Sequence, residues 1–376
     1  MNDLPVTQIS IPPGFIDLGM GNPDFDLLPL SIMRRASEAY FERGELNSLQ
    51  YGAEQGNGYF RATLADFLSV PFKSRVNPDS LFVTQGASSA IDLICTLYTR
   101  PGDVIFVEEP TYFLALRIFA DHGLRVISIP MDEDGLLIEK LEDALDRHKP
   151  KFIYTIPTFQ NPSGRTLSPA RRIKLIELAQ RDKFLILADE VYHLLGYTEK
   201  PPAPFALLAD DVEEVISINS FSKIMAPGLR LGWIQAHQKI LKELAGCGLL
   251  DSGGGLNPFT SAIVREAIET GDLAKNIAHL HKEYVTRLNA LTAALHQYIP
   301  LAEFTPPQGG FFVWARIPGK DTSALRQHAK KFKVDFRPGE LFSGQKGTRE
   351  YMRLGFCFYE PSAIEEGVIR LGNCLS

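Results

Sequence analysis

The sequence predicts an α/β protein: a large domain on a mostly parallel mixed sheet covered by helices on both faces, and a smaller α+β domain. Three observations carry this reading. Between about residues 80 and 235, short apolar runs alternate with longer amphipathic ones. The short runs are nearly continuous in Val, Ile, Leu and Phe, as in strands buried on both faces. Beyond residue 270 the alternation stops, and one long helical stretch leads into isolated strands and short helices.

The elements follow in order. Residues 81–84 read as a strand and residues 87–98 as a helix, with Gly86 between them. A strand at 104–107 is followed by a helical pattern at 113–122. Strands at 126–129, 152–155, 185–188 and 215–218 repeat the theme, which implies parallel strands joined by crossovers. Residues 272–298 form a long helix, then Gly309-Gly310-Phe311-Phe312-Val313-Trp314 an extended run. A helix at 322–332, a strand at 351–356 and a last helix from about Pro361 complete the chain. The expected division is an N-terminal segment, 1–45, packing with the small domain; a large domain, 46–270; and the small domain, 271–376.

Composition bounds the function. Hydrophobic residues make up 45% of the 376 and charged ones 22%, the balance of a globular enzyme. The net charge of -6 argues against a nucleic-acid partner, which usually requires a basic face. No basic stretch followed by an apolar run opens the chain, and no apolar window is long enough to span a bilayer, so a cytoplasmic location is expected. Cys95, Cys247, Cys357 and Cys374 form no Cys-x-x-Cys pair and read as free thiols in a reducing compartment. His279 and His281 lack companions at zinc-site spacing.

The chemistry is concentrated at the carboxyl ends of the predicted strands, where open α/β sheets bind ligands. Lys223 stands in Ser220-Phe221-Ser222-Lys223, and Arg230 follows in Pro227-Gly228-Leu229-Arg230. A lysine flanked by small hydroxyls can bind an aldehyde cofactor covalently, and the arginine can hold its phosphate. Asp189 ends the apolar run Leu185-Ile186-Leu187-Ala188, 34 residues before the lysine, and Tyr192 follows. Asn161 stands in Gln160-Asn161-Pro162-Ser163-Gly164, a turn by composition, 28 residues before Asp189. Gly86-Ala87-Ser88 offers amides at a helix N-terminus, a setting that suits phosphate.

These segments, in this order and over nearly the whole chain, resemble the fold-type I pyridoxal-phosphate aminotransferases of class I/II. Leu49-Gln50-Tyr51-Gly52, Pro227-Gly228-Leu229-Arg230 and Gln308-Gly309-Gly310-Phe311-Phe312 look most like the 2-aminoadipate and aromatic aminotransferase subgroup. The resemblance implies pyridoxal 5'-phosphate as cofactor, carried on Lys223, which also shuttles a proton. It assigns Asp189 to the ring nitrogen, Asn161 and Tyr192 to the phenolic oxygen, and Tyr112 to the ring face. Gly86, Ala87, Ser88, Ser220, Ser222 and Arg230 become the phosphate cup. Tyr51 would reach the phosphate of a neighbouring subunit, which implies a homodimer with shared sites. Arg353, in Met352-Arg353-Leu354-Gly355, corresponds to the clamp for the substrate α-carboxylate, although Gly355 stands where Ser or Asn is usual. Gly21, in Gly19-Met20-Gly21-Asn22-Pro23, resembles the segment that covers the substrate in that family.

The implied reaction is ping-pong amino-group transfer between an L-amino acid, aromatic or of broad range, and a 2-oxo acid. Two alternatives remain at this point: a carbon–sulfur lyase using the same cofactor, and a non-catalytic ligand-binding module. The subgroup also includes effector domains of winged-helix regulators, but the motifs begin within the first fifty residues, so no DNA-binding domain is expected ahead of them. Residues 251–260 should lie near the partner's site; they hold Gly253-Gly254-Gly255 and no arginine. This predicts no clamp for an acidic side chain there, and a flexible run that admits bulky ones. Arg34 or Arg35 could still take a distal carboxylate.

Overall fold

The computed structural model describes residues 6–198, 200–209, 211–345 and 347–375. Its strands are β1 (Ile16–Asp17), β2 (Leu81–Thr84), β3 (Val104–Glu109), β4 (Arg125–Asp132), β5 (Gly135–Leu136), β6 (Phe152–Thr155) and β7 (Leu185–Asp189). They continue with β8 (Val215–Ser220), β9 (Gly232–Ala236), β10 (Phe312–Arg316), β11 (Val334–Asp335), β12 (Arg337–Pro338) and β13 (Tyr351–Gly355).

Eight strands form the main sheet in the order β2-β9-β8-β7-β6-β3-β4-β5. The ladders from β8 through β7, β6 and β3 to β4 are parallel. Side chains alternate between two apolar layers. Phe106, Ile153, Ile186 and Ala188 enter one core, with Leu175 and Ala179 of helix Pro169–Asp182. Ile105, Val107, Phe152, Tyr154, Leu187, Ile216 and Ile218 enter the other. A strand buried on both faces has no polar face to show, which is why its run reads as continuously apolar.

One strand was not expected. β9 lies between β2 and β8 and is antiparallel to both. Because it runs backwards, its amino end lies beside the carboxyl ends of its neighbours. Arg230, two residues ahead of it, thus joins the edge where β2, β3, β6, β7 and β8 all finish.

The smaller sheet is antiparallel, in the order β10-β13-β12. β1 pairs with β11 in parallel, which ties the N-terminal segment to the C-terminal body. The long helix Asp272–Tyr298 packs on the last helix, Pro361–Leu375. Helix Leu30–Arg43, however, packs against Pro258–Glu269, where Arg43 reaches Glu266 at 2.9 Å and Glu269 at 3.0 Å. The helix expected at 322–332 loosens after Ala329 into a 3-10 turn, Lys330–Phe332. Among the described residues no helix is long and apolar enough to cross a membrane.

Candidate active site

The carboxyl edge of the main sheet and the small sheet enclose a cavity of about 360 Å³. Lys223, Asp189, Tyr192, Tyr112, Asn161, Ser220, Ser222, Arg230, Ala87, Ser88, Gly21 and Arg353 all line it. Gly86 borders it through Arg230, whose Nη2 would lie 3.0 Å from any Cβ added at that glycine. With φ at +90°, Gly86 also holds a backbone conformation that other residues rarely adopt. Tyr51 does not line the cavity and is 78% exposed, on the outer surface of the chain.

Lys223 is positioned by the turn after β8. Phe221 is driven into the core against Phe60 and Trp233, which turns its neighbours toward the cavity. The Ser220 hydroxyl accepts from the amide of Ser222 at 3.1 Å and donates to its Oγ at 2.9 Å. Lys223 Nζ donates to the carbonyl oxygen of Gly21 at 3.0 Å and lies 5.3 Å from the Phe311 ring centre. Burial holds the amine below the usual lysine range, and Arg353 and Arg230 add to the effect. A lysine so placed keeps more of its amine unprotonated and nucleophilic.

Asp189 ends β7 and is buried. One oxygen, Oδ2, accepts from the Tyr154 hydroxyl at 2.7 Å; the other, Oδ1, is buried without a partner. Burial pushes this carboxyl up to about 6, against the opposing pull of Tyr154, the Val191 amide and Lys223. An unpartnered buried carboxylate oxygen is costly alone and marks a place for a cation or a strong donor. Tyr154 was legible only as one apolar residue of a strand. Its role follows from register: it pairs with Leu187, and Asp189, two residues on, shares that sheet face.

Arg353 lies in the middle of β13, buried among aromatic rings, with its guanidinium carbon 3.9 Å from the Phe312 ring centre and 5.0 Å from that of Phe342. It donates to Asn161 Oδ1 at 2.9 Å and to the carbonyl oxygen of Gly19 at 2.8 Å, while its Nε is unpartnered. Desolvation lowers it to about 10, so it remains a cation at neutral pH. Tyr192 presents its ring edge to Phe311 and Phe312 and is fully enclosed.

The loops that carry Tyr112 and Asn161 share a brace that the sequence did not reveal. Gln160 Nε2 donates to Pro110 O at 2.7 Å and to Glu108 Oε2 at 3.1 Å. Its Oε1 accepts from the Ser163 amide at 2.9 Å. Glu108 also accepts from the Ile156 amide at 3.0 Å and from the Thr155 hydroxyl. One amide side chain thereby fixes the exits of β3 and β6 together. Gln160→Ala should leave the buried Glu108 short of a donor, costing about 1–3 kcal/mol. Urea denaturation should register that loss alongside a raised KM, since Asn161 loses its support; an unchanged KM would count against the brace.

Two expectations are corrected by the packing, and one departure from the usual pattern is explained. Gly253-Gly254-Gly255 is not a flexible opening. Gly255 pairs with Gly52 across a bridge, and a Cβ there would lie 1.7 Å from Ala53 O. Gly254 and Gly255 leave room for the Tyr51 segment to lie directly on them, whereas Gly253 faces open space. Arg34 and Arg35 face outward, Arg34 to Glu38 at 3.9 Å and Arg35 to Asp272 at 2.6 Å, and neither lines the cavity. Gly355 has a steric reason to be glycine: an added Cβ would meet Met20 O at 2.1 Å, where the cover segment crosses β13. Gly355→Ser should therefore push the cover away from Arg353 and destabilise the fold by about 1–3 kcal/mol. Thermal unfolding together with α-carboxylate binding checks this, and unchanged values of both would contradict it.

The sequence model of the family described as aminotransferase class I and II matches residues 13–371. Aromatic-amino-acid aminotransferase 1 of Thermococcus litoralis is 34% identical over 96% of this chain and 88% of its own. Among solved structures, the multiple substrate aminotransferase of Thermococcus profundus has a TM-score of 0.88 at 34% identity, covering 96% of this chain and 91% of its own. LysN, the alpha-aminoadipate aminotransferase of Thermus thermophilus, complexed with N-(5'-phosphopyridoxyl)-L-leucine, has a TM-score of 0.87 at 28% identity, covering 96% and 92%. With the fold, the cavity and these likenesses in agreement, the chain belongs to the class I and II aminotransferase family and is a pyridoxal-phosphate-dependent transaminase.

Proposed function

We propose that the protein moves an amino group between an L-amino acid, aromatic or of broad range, and a 2-oxo acid. We further propose that it does so with the residues of this cavity. The observation that carries the assignment is the meeting of Lys223, Asp189 and Arg353 at one cavity, with Asp189 Oδ1 and Arg353 Nε still unpartnered.

The residues fit pyridoxal 5'-phosphate. Asp189 Oδ1 is a buried acceptor in need of a cationic donor, as a protonated ring nitrogen would be. Gly86, Ala87 and Ser88 at the start of helix Ala87–Tyr98, with Ser220, Ser222 and Arg230, supply donors for a phosphate dianion. When bound, the cofactor supplies an aldehyde to receive the amino group and a ring that withdraws electrons from the α-carbon. Lys223 would anchor the cofactor covalently and, when free, serve as the base that moves the α-proton. Arg353 holds the α-carboxylate and thereby decides which α-carbon bond faces Lys223. Tyr192 and Asn161 would donate to the phenolic oxygen of the cofactor, and Tyr112 would cover its ring.

The reading extends to assembly. Tyr51 is exposed on a segment fixed by Gly254 and Gly255, in keeping with a role in a partner subunit's site within a homodimer. Free, buried cysteines are compatible with a reducing cytoplasm. The division at residues 45 and 270 belongs to the same reading; β1 supports it by pairing with β11, whereas helix Leu30–Arg43 leans on the large body.

An absorbance titration of the cofactor-loaded protein with amino acids, without oxo acid, tests the function. Loss of the visible cofactor band with growth of a near-ultraviolet band of the aminated form is expected, strongest for aromatic donors. A persistent visible band while ammonia accumulates would overturn it in favour of elimination. Fast reaction with aspartate and none with phenylalanine would overturn the substrate range.

A further inference from the structure

Arg337 has no part in the chemistry above, yet its side chain lines the same cavity. It stands on β12, directly opposite Arg353 of β13. Cross-strand partners carry their Cβ atoms about 5 Å apart on one face of the sheet, and like charges placed so repel. The sheet therefore holds two guanidinium groups side by side at the wall of a small cavity. The second is neutralised from within the chain. Arg337 Nη1 and Nη2 donate to Asp17 Oδ1 at 2.9 Å and Oδ2 at 2.8 Å, a two-pronged pair.

Asp17 is the last residue of β1 and leads straight into the cover segment. Its Oδ1 also accepts from the Gly19 amide at 2.9 Å. Gly19 lies so close that a Cβ there would meet Arg337 Nη1 at 2.7 Å. The carbonyl oxygens of Gly19 and Gly21 in turn accept from Arg353 and Lys223. The carboxylate on Arg337 thus sits at the root of the segment that closes the substrate cavity. The pair is only partly buried, with Arg337 21% and Asp17 15% exposed, so the contact is accessible to exchange.

We propose that Arg337 is the binding group for the second carboxylate of dicarboxylic substrates, with Asp17 as its internal stand-in. Asp17 occupies the guanidinium while a neutral or aromatic side chain is bound. It yields that place when an acidic amino acid or its 2-oxo acid enters. Exchanging one carboxylate for another keeps Arg337 paired at every stage, while the released Asp17 retains the Gly19 amide as a donor, so no partly buried arginine is left without an anion. Amino transfer in two halves requires one cavity to admit two different substrates, and a removable internal carboxylate meets that need. This inference rests on the assignment of Arg353 to the α-carboxylate.

The test compares Asp17→Asn and Arg337→Gln with the wild type, all cofactor-loaded. It reads the ratio of single-turnover kcat/KM for glutamate to that for phenylalanine. Arg337→Gln should lower this ratio by about tenfold or more, because a carboxylate loses its planar partner. Asp17→Asn should raise it about threefold or more, because the competitor is weakened. Arg337→Lys should fall between wild type and Arg337→Gln. The opposed directions matter, since both variants break the same ion pair and a merely structural tie would move them alike. A shift of the same sign in both, or none in either, would overturn the proposal. Calorimetric binding of glutarate, a dicarboxylate without an amino group, gives a readout independent of turnover. Its affinity should fall in Arg337→Gln and rise in Asp17→Asn. Should the wild type transfer no amino group, the proposed reaction fails by itself, while glutarate binding still decides the role of Arg337.

Discussion

Lys223→Ala is expected to lower the rate of amino transfer by about three to four orders of magnitude, the upper part of the range for losing a positioned acid–base group. The loss has two parts. The chain forfeits its covalent anchor for the cofactor, and the α-proton loses the amine that moves it. Lys223→Arg retains a cation where Nζ now reaches Gly21 O, but a guanidinium stays protonated and cannot serve as the base. It should be as inactive as the alanine variant. Small primary amines added to Lys223→Ala should restore part of the proton-transfer rate, because the void admits them, and should not rescue Lys223→Arg. Stopped-flow absorbance on the loaded variants measures both effects. Wild-type rates in either variant would remove Lys223 from the mechanism.

Asp189→Asn is expected to move stability and activity in opposite directions. The folded carboxyl titrates near 6, roughly two units above an unfolded aspartate, because burial disfavours its charge. The folded, cofactor-free protein thus binds this proton more tightly than the unfolded chain. Its contribution is fully favourable below about pH 4 and is lost as pH rises through 6. Above that pH the ionised group costs about 3 kcal/mol, from about 1.4 kcal/mol per unit. Asparagine carries no such cost and still offers a carbonyl oxygen to Tyr154. In urea, the cofactor-free variant should gain up to about 3 kcal/mol over wild type at pH 7.5 and little at pH 4.5. Amino transfer should fall about 10²–10³-fold, since the anion that stabilises charge on the ring nitrogen is gone. A variant no more stable than wild type at pH 7.5 would show that Asp189 is not held as an uncompensated anion.

Sites that carry a cost until the ligand arrives are the places where local sequence reasoning gains most. Asp189 breaks the rule that charges stay out of strand cores, Lys223 follows closely on the wholly buried strand β8, and Arg353 interrupts the buried run of β13. Each is a charge at the end or in the middle of a hydrophobic run, and each is therefore visible without coordinates. Supporting groups are not visible in this way. Tyr154, Glu108 and Gln160 look like ordinary strand and turn residues, and their roles depend on which strands become neighbours.

By itself, the sequence determined the alternating α/β pattern, the carboxyl-edge location of the site and the identity of its principal charges. These features depend on side-chain period and on motifs a few residues long, where physics acts locally. Only the tertiary structure decided the insertion of antiparallel β9, the brace from Gln160 to the loop of Tyr112, and the steric need for glycine at 355 and 255. It alone paired Asp17 with Arg337, residues from opposite ends of the chain. Contacts across such separations leave no periodic trace in a sequence, because either partner, read alone, is simply a charged residue near a short strand.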